Sequence, residues 1–176
     1  MKIALEQIRE TPRVLSYVEE AEDLNRELER GAGDFRLPGG LGVDVSYHRA
    51  GLDVFIEGVV RAAVRGTCAR CLGEYSFTLE APVALVLTPA AAATPRSGAL
   101  REEDIGLAEY QGDEIDLTPL VHEQTLLTLP TRALCTEDCR GLCARCGANL
   151  NAGPCACPAS VMAGGLGELR TLLRER

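Results

Sequence analysis

Residues 41–87 read LGVDVSYHRAGLDVFIEGVVRAAVRGTCARCLGEYSFTLEAPVALVL, and their alternation is that of three consecutive strands. In the first, Val43, Val45 and Tyr47 face one way and Asp44, Ser46 and His48 the other, the period of a half-buried strand. HRAG then reads as a turn. The next strand is long, with Val54, Ile56, Val60, Ala62 and Val64 on one face and Glu57, Arg61 and Arg65 on the other. Alternation resumes with Tyr75, Phe77 and Leu79 opposite Ser76, Thr78 and Glu80. The turn between these last two strands is TCARCLGE. Short connections join antiparallel neighbours, so an antiparallel meander is expected.

On the N-terminal side, Ile3 and Leu5 give a strand-like start, and residues 21–30 read as a charged helix ended by Gly31 and Gly33. On the C-terminal side, residues 89–104 read as a flexible loop, because the Ala run has neither cap nor apolar period. A helix is predicted over 117–129. Asp116 is its N-cap, Pro119 lies in its first turn and Pro130 ends it, with Leu117, Leu120, Val121, Gln124 and Leu127 along one side. A last short helix carries Leu166, Leu169, Leu172 and Leu173. The expected class is α+β: an antiparallel sheet with a few helices over residues 1–130, then a Cys-rich zinc-knuckle segment and helix over 131–176.

The chain has 176 residues, no Trp, 3 Phe, 4 Tyr, 8 Cys and a net charge of −8. Its opening MKIALEQIRETP is too charged for a secretory signal, and no apolar run is long enough to span a bilayer. A cytoplasmic protein with no membrane partner is therefore expected. In that compartment thiols stay reduced, so eight cysteines point to metal before disulfides. The acidic total argues against a simple basic glove for nucleic acid. Charge is nevertheless uneven. Residues 101–123 hold one Arg against Glu102, Glu103, Asp104, Glu109, Asp113, Glu114, Asp116 and Glu123. Arg61, Arg65 and Arg70 occur with no acid in 58–73, and Arg132, Arg140 and Arg145 accompany the tail cysteines. These six arginines are the candidate contacts to RNA or another partner.

Six of the cysteines lie between Cys135 and Cys157, in CTEDCRGLCARCGANLNAGPCAC. Leu134, Leu142, Leu150 and a few Ala cannot offset the entropy of ordering this polar, Gly-rich run. A structural zinc ion contributes about 10–16 kcal/mol in small metallo-domains, enough to shape it. CARC occurs twice, at 68–71 and 143–146, and each copy has Gly soon after to permit a tight turn. Two residues between cysteines let both sulfurs face one ion, and Zn²⁺ takes four thiolates tetrahedrally. Two structural zinc sites are the first expectation, and one site with spare thiols the second. The preferred partition closes Cys143, Cys146, Cys155 and Cys157 on themselves, since a C-x-C pair needs a nearby partner. It leaves Cys68 and Cys71 to meet Cys135 and Cys139. The rival joins the two CARC turns and leaves Cys135, Cys139, Cys155 and Cys157 for the other site.

Other readings are weaker. The C-x3-C-x2-C spacing of radical S-adenosylmethionine enzymes would come early in a large barrel, and here it comes late. A thioredoxin-like C-x-x-C needs a βαβ setting. A catalytic zinc needs an open position, usually with His or carboxylate, and His48 and His122 read as ordinary strand and helix residues. No phosphate-binding loop, dinucleotide fingerprint or nucleophile elbow is present, so neither an enzyme nor a small-molecule substrate is expected.

The stretches CARCLGEYSFTLE, EIDLTPLVHEQTLLTLP, CTEDCRGLCARCGANLNAGPCAC and LGELRTLL together resemble the YceD family, over about residues 50–173. That family comprises bacterial and plastid proteins needed for accumulation of large-subunit ribosomal RNA. The resemblance implies a part in maturation of the large subunit without enzymatic chemistry. It also implies gene-level association with the large-subunit protein L32, and a 143–157 cysteine set that some members lack. The functional expectation is a ribosome biogenesis factor that binds precursor 23S rRNA, a pre-50S particle or a basic ribosomal protein. A zinc-dependent nucleic-acid-binding regulator and a thiol-redox protein are the alternatives.

Overall fold

The computed structural model describes residues 1–31, 33–90 and 107–157. The C-terminal helix expected after the cysteines, and the loop expected over 89–104 from residue 91 on, lie outside that range. Strands β4 (Leu41–Ala50), β5 (Asp53–Thr67) and β6 (Glu74–Pro89) form the meander that the alternation called for. To it are added β2 (Arg13–Glu19) on the β4 edge, β7 (Leu107–Tyr110) on the β6 edge and the two-residue β3 (Phe35–Arg36) against β5. One pairing corrects the antiparallel expectation: β7 runs parallel to β6, with Val86 opposite Leu107. A second, two-stranded sheet pairs β1 (Lys2–Ala4) with β8 (Glu114–Asp116), so the N-terminus is sewn to the segment that leads into the long helix. Leu5, expected to extend that first strand, belongs instead to a 3-10 turn, Leu5–Gln7.

Val43, Val60 and Ala81 are aligned across β4, β5 and β6 and are buried, as are Val45, Val54, Ile56, Ala62, Val64, Leu79, Val83 and Leu87 on the same face. Helix α1 (Glu22–Arg30) packs Leu24 into this core. Its Asn25 side chain both donates to and accepts from the Leu37 backbone at 2.8 Å, fixing the segment that leads from β3 into β4. Helix α2 (Leu117–Thr128) begins where Asp116 Oδ1 accepts from the Thr118 N–H at 3.0 Å, the expected N-cap. Its buried stripe is Leu117, Val121 and Thr125, and the Thr125 hydroxyl donates to the Val121 carbonyl at 2.7 Å. Leu127 was expected on that stripe, but it steps off the i, i+4, i+8 line and is 72% exposed. Among the described residues, no helix is long and apolar enough to cross a membrane.

The β5–β6 hairpin determines where the cysteines can go. β4 pairs with β5 only as far as Arg61, whereas β5 and β6 stay paired out to Thr67 and Glu74. The hairpin therefore projects beyond β4, steadied at its stem by β3, and carries Cys68 and Cys71 on its tip.

Candidate metal centre

The two CARC turns adopt one conformation. In the first, the Cys68 N–H donates to the Gly73 carbonyl at 2.9 Å and the Leu72 N–H to the Cys68 carbonyl at 2.9 Å. In the second, the Cys143 N–H donates to Ala148 at 2.8 Å and the Gly147 N–H to Cys143 at 2.9 Å. The residue after the second cysteine is left-handed in both, with φ 56° at Leu72 and 71° at Gly147. Each turn thus aims two sulfurs the same way and turns backbone amides toward them.

Each knuckle is completed by two tail cysteines. Cys68, Cys71, Cys135 and Cys139 form one set and Cys143, Cys146, Cys155 and Cys157 the other, with the sulfurs of each set within 4.8 Å of one another. This is the partition preferred from the spacing; the rival, with both CARC turns on one ion, is not the one formed. In the first set Cys68 Sγ lies 3.7 Å from Cys139 Sγ, and Cys71 Sγ lies 3.8 Å from Cys135 Sγ. A tetrahedron of thiolates at about 2.3 Å from zinc has edges of about 3.8 Å, so these sulfurs fit that ion. The environments differ. Cys68, Cys71 and Cys139 are buried, packed with Tyr75, Leu134 and Leu142, whereas Cys146 is exposed and Cys143, Cys155 and Cys157 are half-buried.

The backbone and the thiols polarise one another. Cys68 is drawn down to about 6, chiefly by the Cys135 amide, and Cys143 to about 6 by the amides of Cys146 and then Arg145. Cys139 is lowered too, first by the Asn151 side chain. Cys135 is pushed up to about 12 by its hydrogen bond with Cys139 and by burial, and Cys157 to about 12 by Cys146 and burial. A cation bound to either set would displace the protons that the raised thiols retain.

Several bonds lash the tail to the hairpin. The Ala69 N–H donates to the Ala133 carbonyl at 2.7 Å, and the Leu142 N–H to the Arg70 carbonyl at 3.0 Å. The Arg70 Nη1 donates to the carbonyls of Glu137 and Cys139 at 3.0 and 2.9 Å. Gly141 has φ 72°, and a Cβ there would come within 2.9 Å of the Arg70 carbonyl oxygen. The Asn151 Nδ2 reaches back to Cys139 Sγ at 3.2 Å.

Among the candidate arginines, two are already engaged. Arg70 grips the backbone as described, and Arg61, on the outer face of β5, is bound to Asp44 at 3.2 Å and Glu80 at 3.1 Å. Arg65 is exposed on that face, directly across from Arg36, which the sequence reading did not single out. Arg132 lies at a cleft of about 450 Å³ with Tyr75, Phe77, Pro130, Leu134 and Glu137, where the half-buried Cys135 of the first set is reached. Arg140 and Arg145 are exposed on the tail. The acidic stretch is divided where it is described, with Asp116 capping α2 and Glu114 pairing with Lys2 at 3.6 Å. His48 stacks on Phe55 with ring centres 5.2 Å apart, and His122 sits on α2; neither joins a sulfur set.

A family model described as the large ribosomal RNA subunit accumulation protein YceD matches residues 56–173, from near the start of β5 through both sulfur sets. The chain belongs to the YceD family. The proteins it is similar to include an uncharacterised protein of Mycobacterium tuberculosis, 28% identical over 114 residues that cover 65% of this chain and 53% of the relative. A chloroplastic YceD homologue of Zea mays is 30% identical over 146 residues, covering 69% of this chain and 49% of the relative. Its Arabidopsis thaliana counterpart is 34% identical over 62 residues, 35% of this chain and 19% of the relative. Both plant proteins are named large ribosomal RNA subunit accumulation proteins. The chain spans about half the length of the first curated relatives it matches. No solved structure matches it.

Proposed function

We propose that this protein is a non-enzymatic factor, acting in the cytoplasm, that promotes accumulation of 23S rRNA during assembly of the large ribosomal subunit. The observation that carries the reading is that the YceD match runs unbroken across both knuckles and the hairpin that supports them. Two structural zinc ions belong to it. Cys68, Cys71, Cys135 and Cys139 would hold one and Cys143, Cys146, Cys155 and Cys157 the other. The ions supply cross-links that the apolar content of the tail cannot provide. Zinc would hold Arg132, Arg140 and Arg145 in fixed places relative to the sheet, and these, with Arg65, are the arginines we assign to contacts with precursor 23S rRNA in the pre-50S particle.

A second reading has its own support: the net charge of −8, with Arg61 neutralised and Arg70 engaged, suits a basic large-subunit protein such as L32 as the direct ligand. Capture of the tagged full chain from ribosome-assembling cells tests both. Recovery of precursor 23S rRNA that survives removal of ribosomal proteins, and that salt releases, supports the RNA contact. Recovery of one basic protein after nuclease treatment favours the second reading. Capture of neither, with unchanged 23S rRNA levels on depletion of the protein, overturns the proposal.

A further inference from the structure

We infer that the two sulfur sets are unequal in kind: the set on the hairpin is a permanent inner site, and the 143–157 set is an exchangeable outer site whose state is communicated inward through Asn151. The inference rests on the zinc reading above. Cys68, Cys71 and Cys139 are 0%, 8% and 4% exposed, Cys135 is half-buried at the cleft beside Arg132, and the set draws on two elements far apart in the chain, so a chelator can displace all four sulfurs only if the tail lifts off the hairpin. The outer four are local in sequence, none of them is buried, and Cys146 is exposed. A competing ligand can therefore attack the outer ion without any opening of the fold.

Asn151 lies between the two halves of the outer set, in the loop from Gly147 to Cys155. Its backbone N–H donates to Asn149 Oδ1 at 2.9 Å, its Oδ1 accepts from the Arg140 N–H at 2.7 Å, and its Nδ2 donates to Cys139 Sγ at 3.2 Å. Cys139 is an inner ligand. An N–H aimed at a coordinating thiolate stabilises its charge, and loss of such an outer partner typically costs 10–100-fold in metal affinity. When the outer ion leaves, the loop that positions Asn151 loses one anchor but keeps the bonds to Arg140 and Asn149, so Asn151 still reaches Cys139 and the inner site weakens only by a small part of that factor. Arg145 sits inside the outer knuckle, between Cys143 and Cys146, so occupancy of this site also governs whether that charge is presented in a fixed place. Metal supply would then modulate partner binding while leaving the sheet and inner site intact.

The test is a chelator time course on the full chain, loaded with zinc under reducing conditions and followed by native mass spectrometry. Two ions are expected at the start, one leaving at least tenfold faster than the other. Cys146→Ser, at an exposed position, should begin with one ion, and that ion should be the slow one. Asn151→Ala should keep two ions at the start but speed loss of the slow one by about 10–100-fold. With cobalt in place of zinc, the same change should shift the thiolate-to-cobalt absorption of the slow site. Loss of both ions in one phase, or a fast remaining ion in Cys146→Ser, overturns the hierarchy. An unchanged slow phase in Asn151→Ala overturns the link. Fewer than two ions in the wild-type protein overturns the zinc reading beneath both.

Discussion

The Arg70 guanidinium lies 2.9 Å from the carbonyl oxygen of Cys139 and 3.0 Å from that of Glu137, so an arginine on the hairpin tip clasps the strand of tail that brings in two further sulfurs. Charge-assisted bonds of this kind are worth about 1.5–3 kcal/mol when shielded, and the partial exposure here puts the pair toward the lower figure. Arg70→Ala should therefore weaken zinc at the buried site by about tenfold or more, with Arg70→Lys between it and wild type. Competition with a chromophoric chelator measures this. Unchanged zinc affinity would mean that the clasp contributes nothing.

Leu72 occupies a left-handed position that its counterpart Gly147 adopts freely, and its side chain is 65% exposed. A side chain in that conformation costs roughly 1–2 kcal/mol, and little burial is lost on removing it. Leu72→Gly should stabilise the first knuckle by about 1 kcal/mol after the entropy of glycine is counted. Thermal unfolding of the zinc-loaded protein should show a higher midpoint.

Gly141 presents the opposite case. Positive φ and the 2.9 Å approach to the Arg70 carbonyl both exclude a Cβ. Gly141→Ala should break the Leu142–Arg70 backbone bond and undock the second knuckle while the sheet stays folded. Hydrogen exchange at the Leu142 amide should accelerate, and the strand amides of β4 and β5 should keep their protection.

The Tyr17 hydroxyl is buried without a hydrogen-bond partner, and burial first, then the negative charge of Glu19, raises its pKa above the ordinary tyrosine value. The folded state therefore holds this proton longer than the unfolded chain does. The resulting stability is complete below the unfolded value of about 10 and drains away as pH rises beyond it. Tyr17→Phe should remove that alkaline loss. At neutral pH it should also stabilise the protein by about 1 kcal/mol, because an unsatisfied buried hydroxyl is removed. Urea midpoints of the two proteins from pH 7 to 11 check both outcomes.

If Arg132, Arg140 and Arg145 touch phosphate, replacing all three with Ala should weaken RNA binding. It should also flatten the salt dependence by about 2 in log–log slope for single-stranded RNA. Arg61→Ala, which breaks the contacts to Asp44 and Glu80, should leave that slope as it was. Filter binding across a salt series separates the two.

The parts legible in the sequence are those with local, periodic causes. Alternation placed β4, β5 and β6 with their inner faces correct, and Asp116 with Pro119 marked the start of α2. Cysteine spacing alone led to the partition of sulfurs that the structure forms. Strand β2 was hidden because its valines point outward: Val14 and Val18 are 79% and 73% exposed, so its apolar residues mark no single face. The pairing of β1 with β8, in which Ile3 meets Ile115, and the parallel docking of β7 depend on tertiary return of the chain and leave no local trace. The same holds for Asn151. An asparagine in a polar loop reads as a turn residue, and only its 3.2 Å approach to Cys139 distinguishes it.

The pairs that face each other across the buried site, Cys68 with Cys139 and Cys71 with Cys135, are separated by 71 and 64 residues of chain. During translation at roughly 5–20 residues per second, the hairpin tip waits about 3–14 s for its partners to emerge. Throughout that interval the nascent chain carries two bare thiols on a formed or forming hairpin. An ion shared by the four sulfurs could therefore be captured only after Cys139 is made, and a chain interrupted before that residue can never complete the set.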